Sequence, residues 1–331
     1  MTSLLEKPIV YLVRTIHLPD LEQIANQELH DLAIIKTEQQ KTGKELGRVL
    51  ANAFAVIIDI DTDMTREVID EMKGCKIIVA ASGGFDHVDL KAAGRKRICV
   101  SYVPGYCVEE VADHTIGLLI GIARGICVLD RTTRDGRWDD WQAAQAVYRL
   151  RGKTLGIIGL GRIGTAVALR AETFGLNVIS YDPYIPVGRD VALGIKSVHF
   201  DTLLHDSDII SLHAPLTAET RHMIGRRELT KMKTGVFIIN TSRGGIVEHD
   251  ALVDALISKK VAGVALDVFE KEPPDSKDPL LKMENVIVTP HTAFLSVESQ
   301  RDRQKMAVDE VKRILLSQQP NSAVNIDTFP H

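Results

Sequence analysis

Between Lys153 and Pro183 the chain reads KTLGIIGLGRIGTAVALRAETFGLNVISYDP, and this stretch restricts the fold more than any other. It opens with a short apolar run, Thr154 to Ile158, bounded by glycines, which has the pattern of a buried strand. Gly159, Gly161 and Gly164 follow in the spacing G-x-G-x-x-G. From Ile163 to Phe174 small and apolar residues recur at helical spacing, with Arg170 and Glu172 off that face, and Gly175 stops the helix. Asn177 to Tyr181 is a second apolar run, and it ends on Asp182.

Each part of this unit has a physical reason. One glycine permits a tight strand-to-helix turn, a second lets backbone approach a pyrophosphate, and the third lets the helix pack on the sheet. The free N–H groups and positive dipole of the helix N-terminus then attract phosphates. Asp182 can accept both hydroxyls of a ribose and would repel a 2′-phosphate, which favours NAD over NADP. Glycines also mark ordinary turns, and an Asp before Pro183 can simply open one. Here the glycines stand between strand and helix, and an acid ends the next strand about 20 residues on, so NAD is the expected cofactor.

With 331 residues the chain has room for two domains with separate cores. Its net charge of −4 suggests neither a nucleic-acid nor a membrane-surface partner. The opening MTSLLEKPIVYLV is a poor signal peptide, because an acid and a proline interrupt its apolar run. No stretch reaches transmembrane length. Cys75, Cys99, Cys107 and Cys127 have neither metal-site nor redox spacing, so burial as small apolar groups in a reducing cytoplasm is expected, with no bound metal.

Taken in order, the apolar runs predict strands at 8–13, 32–35, 55–60, 77–81 and 98–100, with helices at 20–29, 44–53, 65–72 and 89–93 between them. Val103-Pro104-Gly105 punctuates the chain as a hinge. One long apolar helix is expected over Val108–Leu129, followed by a polar turn, Asp135 to Trp141, whose two tryptophans read as packing anchors, with coverage of a neighbouring subunit as the alternative. After Asp182 strands are expected at 209–213, 236–240, 263–267 and 286–289. Helices are expected at 200–205, 226–231 and 250–258, and a final amphipathic one at 297–316. Alternating strand and helix means an α/β fold with parallel sheets.

Ligands of an open parallel sheet bind outside the carboxyl ends of its strands. Asp182, His213, Arg243, Asp267, Glu272 and His291 all fall at such ends, which predicts that they converge beside the dinucleotide. That set suits hydride transfer to the C2 carbon of a 2-keto acid. Arg243 can bind a carboxylate and polarise the keto oxygen. His291 can deliver the proton, and Glu272 can orient its ring and favour the protonated form. Alone, each residue has an ordinary alternative: a solvent-facing arginine, a loop acid, a hydrogen-bonded histidine. Ser82-Gly83-Gly84 after a strand is either an N–H nest for a carboxylate or a plain turn.

The motifs GLGRIG, NTSRGG, ALDVFEKEP and TPH resemble those of the D-isomer-specific 2-hydroxyacid dehydrogenases, over nearly the whole chain and most densely from Gly152 to Thr292. LGIIGLGRIGTAVALRAETFGLNVISYDPY is most similar to the branch of C-terminal binding proteins and phosphoglycerate dehydrogenases. The resemblance implies two Rossmann-like or flavodoxin-like domains with parallel sheets, the NAD-binding domain (104–289) inserted into a substrate domain (1–103 plus 290–331). It implies a homodimer formed through the inserted domain, and Arg243, Glu272 and His291 as the catalytic set. It also implies NAD contacts at Arg162, Ile163, Asp182, the loop His213-Ala214-Pro215-Leu216-Thr217, Thr241-Ser242-Arg243, Asp267 and His291, with Ser82 and Gly83 holding the substrate carboxylate. Ala80 stands where C-terminal binding proteins have an arginine, and Phe294 where they have a tryptophan. The expected activity is NAD-dependent interconversion of a small D-2-hydroxy acid and its 2-keto acid. The alternatives are an NAD-sensing scaffold of corepressor type and a phosphite dehydrogenase. Cleft closure about hinges near Val103 and Pro290 is expected of such an enzyme.

Overall fold

The computed structural model describes residues 7–14, 18–39, 41–144, 147–186 and 188–325; the start of the stretch weighed above as a signal peptide lies outside them. The described chain is α/β throughout and carries two parallel sheets. It divides into two compact units, one of residues 1–107 with 295–331, the other of residues 108–294. These breaks fall slightly later than the 103/104 and 289/290 expected. The Val103 N–H is still bonded to Ser82 O in the first unit, and the backbone of His291, Thr292 and Ala293 is pinned to Asp267 in the second.

In the first unit β1 (Ile9–Arg14), β2 (Ile34–Gln39), β3 (Ala55–Ile58), β4 (Ile77–Ala80) and β5 (Cys99–Tyr102) form a sheet in the order β2-β1-β3-β4-β5. Side chains alternate between its faces. Val56, Ile58 and Ile78 pack on one side with Leu46, Val68 and Ile69. Val10, Ile57 and Val79 pack on the other with Ala307, Val308 and Val311 of the helix Val297–Leu315. Each fully buried aliphatic side chain of this kind contributes roughly 1.5–3 kcal/mol. Ile58 pairs with Ala80, so the ends of β3 and β4 lie side by side. There Asp59 and Arg303, both wholly buried, form an ion pair of 3.3 Å. Nη1 of Arg303 also donates to Ala81 O at 3.4 Å, just before the turn of Ser82 and Gly83.

The second unit contains β6 (Thr154–Ile158), β7 (Asn177–Tyr181), β8 (Lys196–Ser197), β9 (Ile209–Leu212), β10 (Val236–Asn240), β11 (Val261–Leu266) and β12 (Val286–Val288). Their order is β12-β11-β10-β9-β6-β7-β8. Counted from β6 this is the doubly wound 3-2-1-4-5-6 arrangement with one added strand, and the order reverses between β6 and β9, where such sheets bind ligands.

Two expectations are corrected here. The helix expected over Val108–Leu129 is two helices, Val108–Ala123 and Ile126–Arg134, bent by 63°. Gly125, at φ 61°, takes a left-handed conformation that continues neither. Trp138 and Trp141 are not packed within the chain; they are 79% and 71% exposed. Among the described residues no single helix is long and apolar enough to cross a membrane. Cys75, Cys99 and Cys107 are buried and Cys127 is half-buried. Burial raises the Cys75 thiol to about 12 and Cys99 to about 11, which leaves both unreactive.

Candidate active site

The turn after β6 is built as its glycines require. Gly159 has φ 91°, and a Cβ there would lie 2.8 Å from the backbone of His213 and Ala214. A Cβ on Gly164 would meet Gly159 O at 2.0 Å, so the helix Arg162–Thr173 can approach only without one. Gly161, the N-cap of that helix, faces open space, with nothing within 4 Å of a Cβ. The turn is thus closed against protein at Gly159 and Gly164 and open at the helix N-terminus, which fits a pyrophosphate. Asp182 follows β7 and ties its own loop to the same turn: Oδ2 accepts the Leu160 N–H and Oδ1 the Tyr184 N–H, both at 2.9 Å.

The loop after β9 packs against Gly159 through His213 and Ala214. His213 Nε2 is 2.8 Å from Ser211 Oγ, and burial of the ring pushes its pKa down to about 3, so it is neutral at physiological pH. Pro215 and Thr217 are exposed, and the loop is closed by Thr220 Oγ1, which donates to Pro215 O at 2.6 Å and accepts the Thr217 N–H at 2.8 Å. Arg162 is exposed and Ile163 half-buried.

Asn240 shapes the loop that carries Arg243. Its Oδ1 accepts the N–H and hydroxyl of Ser242 at 3.0 and 2.9 Å, and its Nδ2 donates to Arg243 O at 2.9 Å. Thr241 is anchored by its hydroxyl, 2.9 Å from that of Thr115. Gly244 brings this loop onto the next, since a Cβ there would lie 1.9 Å from the carbonyl carbon of Phe269.

Glu272 and His291 meet at 2.7 Å, Oε2 to Nδ1, while Glu272 Oε1 accepts the Phe269 N–H at 2.8 Å. Burial would raise the Glu272 pKa. The His291 hydrogen bond and charge, the Phe269 N–H and the nearby Arg243 guanidinium outweigh it and hold the carboxylate below its usual range. His291 has φ 53° and packs edge-on to Phe294, ring centroids 6.3 Å apart. Asp267, 1% exposed, accepts the N–H groups of Thr292 and Ala293 at 2.9 and 3.0 Å, and its carbonyl accepts that of His291 at 2.8 Å. In the first unit Ser82 is buried, with its hydroxyl donating to Gly84 O at 2.7 Å, and Gly83 is exposed.

The second unit therefore gathers Arg243, Glu272, His291 and Asp267 in neighbouring loops at the carboxyl ends of β10, β11 and β12. Sequence reasoning missed Asn240, Phe269, Thr289, whose hydroxyl donates to Asp267 Oδ1 at 2.5 Å, and His114, whose Nε2 is 3.1 Å from that hydroxyl. A polar residue ending an apolar strand was the available signal for Asn240 and Thr289; Phe269 and His114 had none.

Residues 116–293 match the family described as D-isomer specific 2-hydroxyacid dehydrogenase, NAD binding domain. A glyoxylate reductase of Thermofilum pendens is 37% identical over 325 residues, covering 96% of this chain and 95% of that protein. The chain belongs to this family. Residues 116–293 are thus its NAD-binding domain. A D-3-phosphoglycerate dehydrogenase of Archaeoglobus fulgidus is 40% identical over 292 residues, which is 87% of this chain but 55% of that longer protein. The same fold occurs in a D-lactate dehydrogenase of Aquifex aeolicus complexed with NAD and lactic acid, at a TM-score of 0.85 and 29% identity, covering 98% of this chain and 100% of that one.

Proposed function

We propose that this chain interconverts a small D-2-hydroxy acid and its 2-keto acid, with glyoxylate or a hydroxypyruvate-like acid as substrate. The observation that carries the proposal is the Glu272–His291 pair at 2.7 Å, set beside Arg243 in the unit that holds the dinucleotide turn. NAD(H) would supply or receive the hydride, held by the turn Gly159–Gly164 with Arg162 and Ile163, by Asp182 on the ribose, and by the loops of His213 to Thr217 and Thr241 to Arg243. Asp267 and His291 complete that set.

Because the Glu272 carboxylate accepts from Nδ1, Nδ1 carries a hydrogen and Nε2 is free to exchange the proton that the product oxygen gains or loses. Arg243 binds the substrate carboxylate and stabilises negative charge on the oxygen at C2. Oxidation of NADH against a panel of 2-keto acids tests this: glyoxylate and hydroxypyruvate should turn over fastest. Slow turnover of every acid with tight NADH binding would instead mark a nucleotide-sensing scaffold.

The proposed assembly is a homodimer through the 108–294 unit, in the cytoplasm. Where β10, β11 and β12 begin, at the end away from the glycine turn, lies a groove of about 810 Å³ walled by Ile122, Tyr148, Phe237, Leu256, Val261 and Ile287. The exposed Trp138 and Trp141 of a second copy suit it. Light scattering should give a dimeric mass for the native chain, and Trp138→Ala with Trp141→Ala should weaken the dimer.

A further inference from the structure

Asp267 does more than end a strand. Its side chain is 1% exposed, and both oxygens already have donors: Thr289 Oγ1 at 2.5 Å and Thr292 N–H at 2.9 Å on Oδ1, Ala293 N–H at 3.0 Å on Oδ2. Together with the His291 N–H on its carbonyl, these bonds clamp the segment Thr289–Ala293. His291 sits in the middle of that segment in a left-handed conformation, which a residue other than glycine keeps only when its surroundings impose it. The clamp therefore sets where the imidazole stands.

The clamp has a further member. The Thr289 hydroxyl has one proton, and the geometry directs it to Asp267. Its lone pairs then require a donor. Nε2 of His114, on the helix Val108–Ala123, is 3.1 Å away. A hydroxyl that donates to a carboxylate can only accept from the ring, so His114 Nε2 carries a hydrogen. The same nitrogen lies 3.8 Å from Asp267 Oδ1. A buried carboxylate stays ionised only when donors and charge offset its lost hydration.

We infer that His114 is a positioning residue for the reaction: by donating to Thr289 it fixes the Thr289 hydroxyl on Asp267, and so holds the loop that presents His291. The inference rests on His291 as the proton carrier. Chains of hydrogen bonds of this kind polarise one another, so loss of the first donor is felt at the last acceptor.

The test uses the full chain with NADH and glyoxylate, or the best acid of the panel. His114→Leu should lower kcat by about tenfold, a loss equivalent to one hydrogen bond. KM for the acid and the Kd for NADH should stay within about twofold. His114→Gln, which keeps a side-chain N–H, should recover most of kcat. Thr289→Val should match His114→Leu, and the double variant should be no worse than either alone. Thr289→Val reads the same link should His114→Leu fail to fold. An unchanged kcat in His114→Leu overturns the inference, as does a loss that appears as weaker NADH binding and is not rescued by Gln. His291→Ala separates the two layers. If that variant is inactive while His114→Leu is normal, only the inference falls. If His291→Ala keeps its kcat, the reading of His291 falls and the inference with it.

Discussion

Glu272 is tied by one oxygen to the N–H of Phe269 and by the other to Nδ1 of His291. The carboxylate thus belongs to the β11 loop while steering a ring on the β12 loop, and it fixes the tautomer of that ring.

Because Glu272 titrates below its ordinary value of 4.5, its carboxylate contributes stability that is present above that pH and is lost as pH falls through the lowered value. Activity should therefore persist to pH values below the usual carboxylate range and then fall. Glu272→Gln should abolish that acid limb and reduce kcat by roughly tenfold or more. Profiles of kcat and Tm against pH, from about 3 to 8, measure both; an acid limb that survives in the Gln variant would contradict the assignment.

Arg243→Ala should lower kcat/KM for the keto acid by about 10²–10³-fold. Arg243→Lys should restore little, because an ammonium lacks the planar fork that matches a carboxylate. A Lys variant with native kcat/KM would refute the bidentate clamp.

Asp182→Ala should raise use of NADP relative to NAD by about tenfold or more, since the acid that repels a 2′-phosphate is gone. It should also lower Tm, because the Leu160 and Tyr184 N–H groups lose their acceptor. If NADP stays as poor as before, another residue discriminates.

Gly244→Ala places a methyl 1.9 Å from the Phe269 carbonyl carbon, so the β10 and β11 loops must separate. A loss of about 1–3 kcal/mol in stability is expected. Since Arg243 precedes this glycine and Phe269 holds Glu272, kcat should fall too. Denaturant unfolding and steady-state rates on one preparation check both; a fully stable variant would mean that the loops yield easily.

Arg303→Met removes the guanidinium that faces the wholly buried Asp59 carboxylate and should cost about 3–5 kcal/mol. Adding Asp59→Leu should recover much of that loss, because an apolar pair avoids the desolvation penalty. Additive losses in the double variant, read by urea unfolding, would show that the two residues act separately.

The inner strands were legible because parallel strands covered on both faces read as continuous apolar runs, as in AVII, TLGII and VFIIN. The edge strand Ile34–Gln39, IIKTEQ, is half polar, and its expected position was displaced toward the more apolar residues before it. The two-residue β8 and the short helix Arg189–Leu193 offer too few residues for a period, and both were missed. The break at Gly125 was hidden by apolar residues on both sides of it, since only a backbone angle marks the bend.

Arg243, Glu272 and His291 stood out because each follows a strand end, a place sequence can find. His114 and Thr289 lie 175 positions apart and neither points to the other in sequence; their bond exists only once a helix has crossed the sheet. Asp182 was read for the ribose, but its two bonds to backbone show that it also shapes the turn beneath.

Residues 108–294 are one unbroken run of chain, whereas the sheet β1–β5 finishes its core with Ala307, Val308 and Val311 from the last helix. On the ribosome the strands β1–β5 emerge before the helix Val297–Leu315, so part of their apolar face waits for Ala307, Val308 and Val311 while residues 108–294 can already be complete. The unit 108–294 can thus close its core from contiguous chain, whereas the sheet β1–β5 must wait for a segment that is made after that unit.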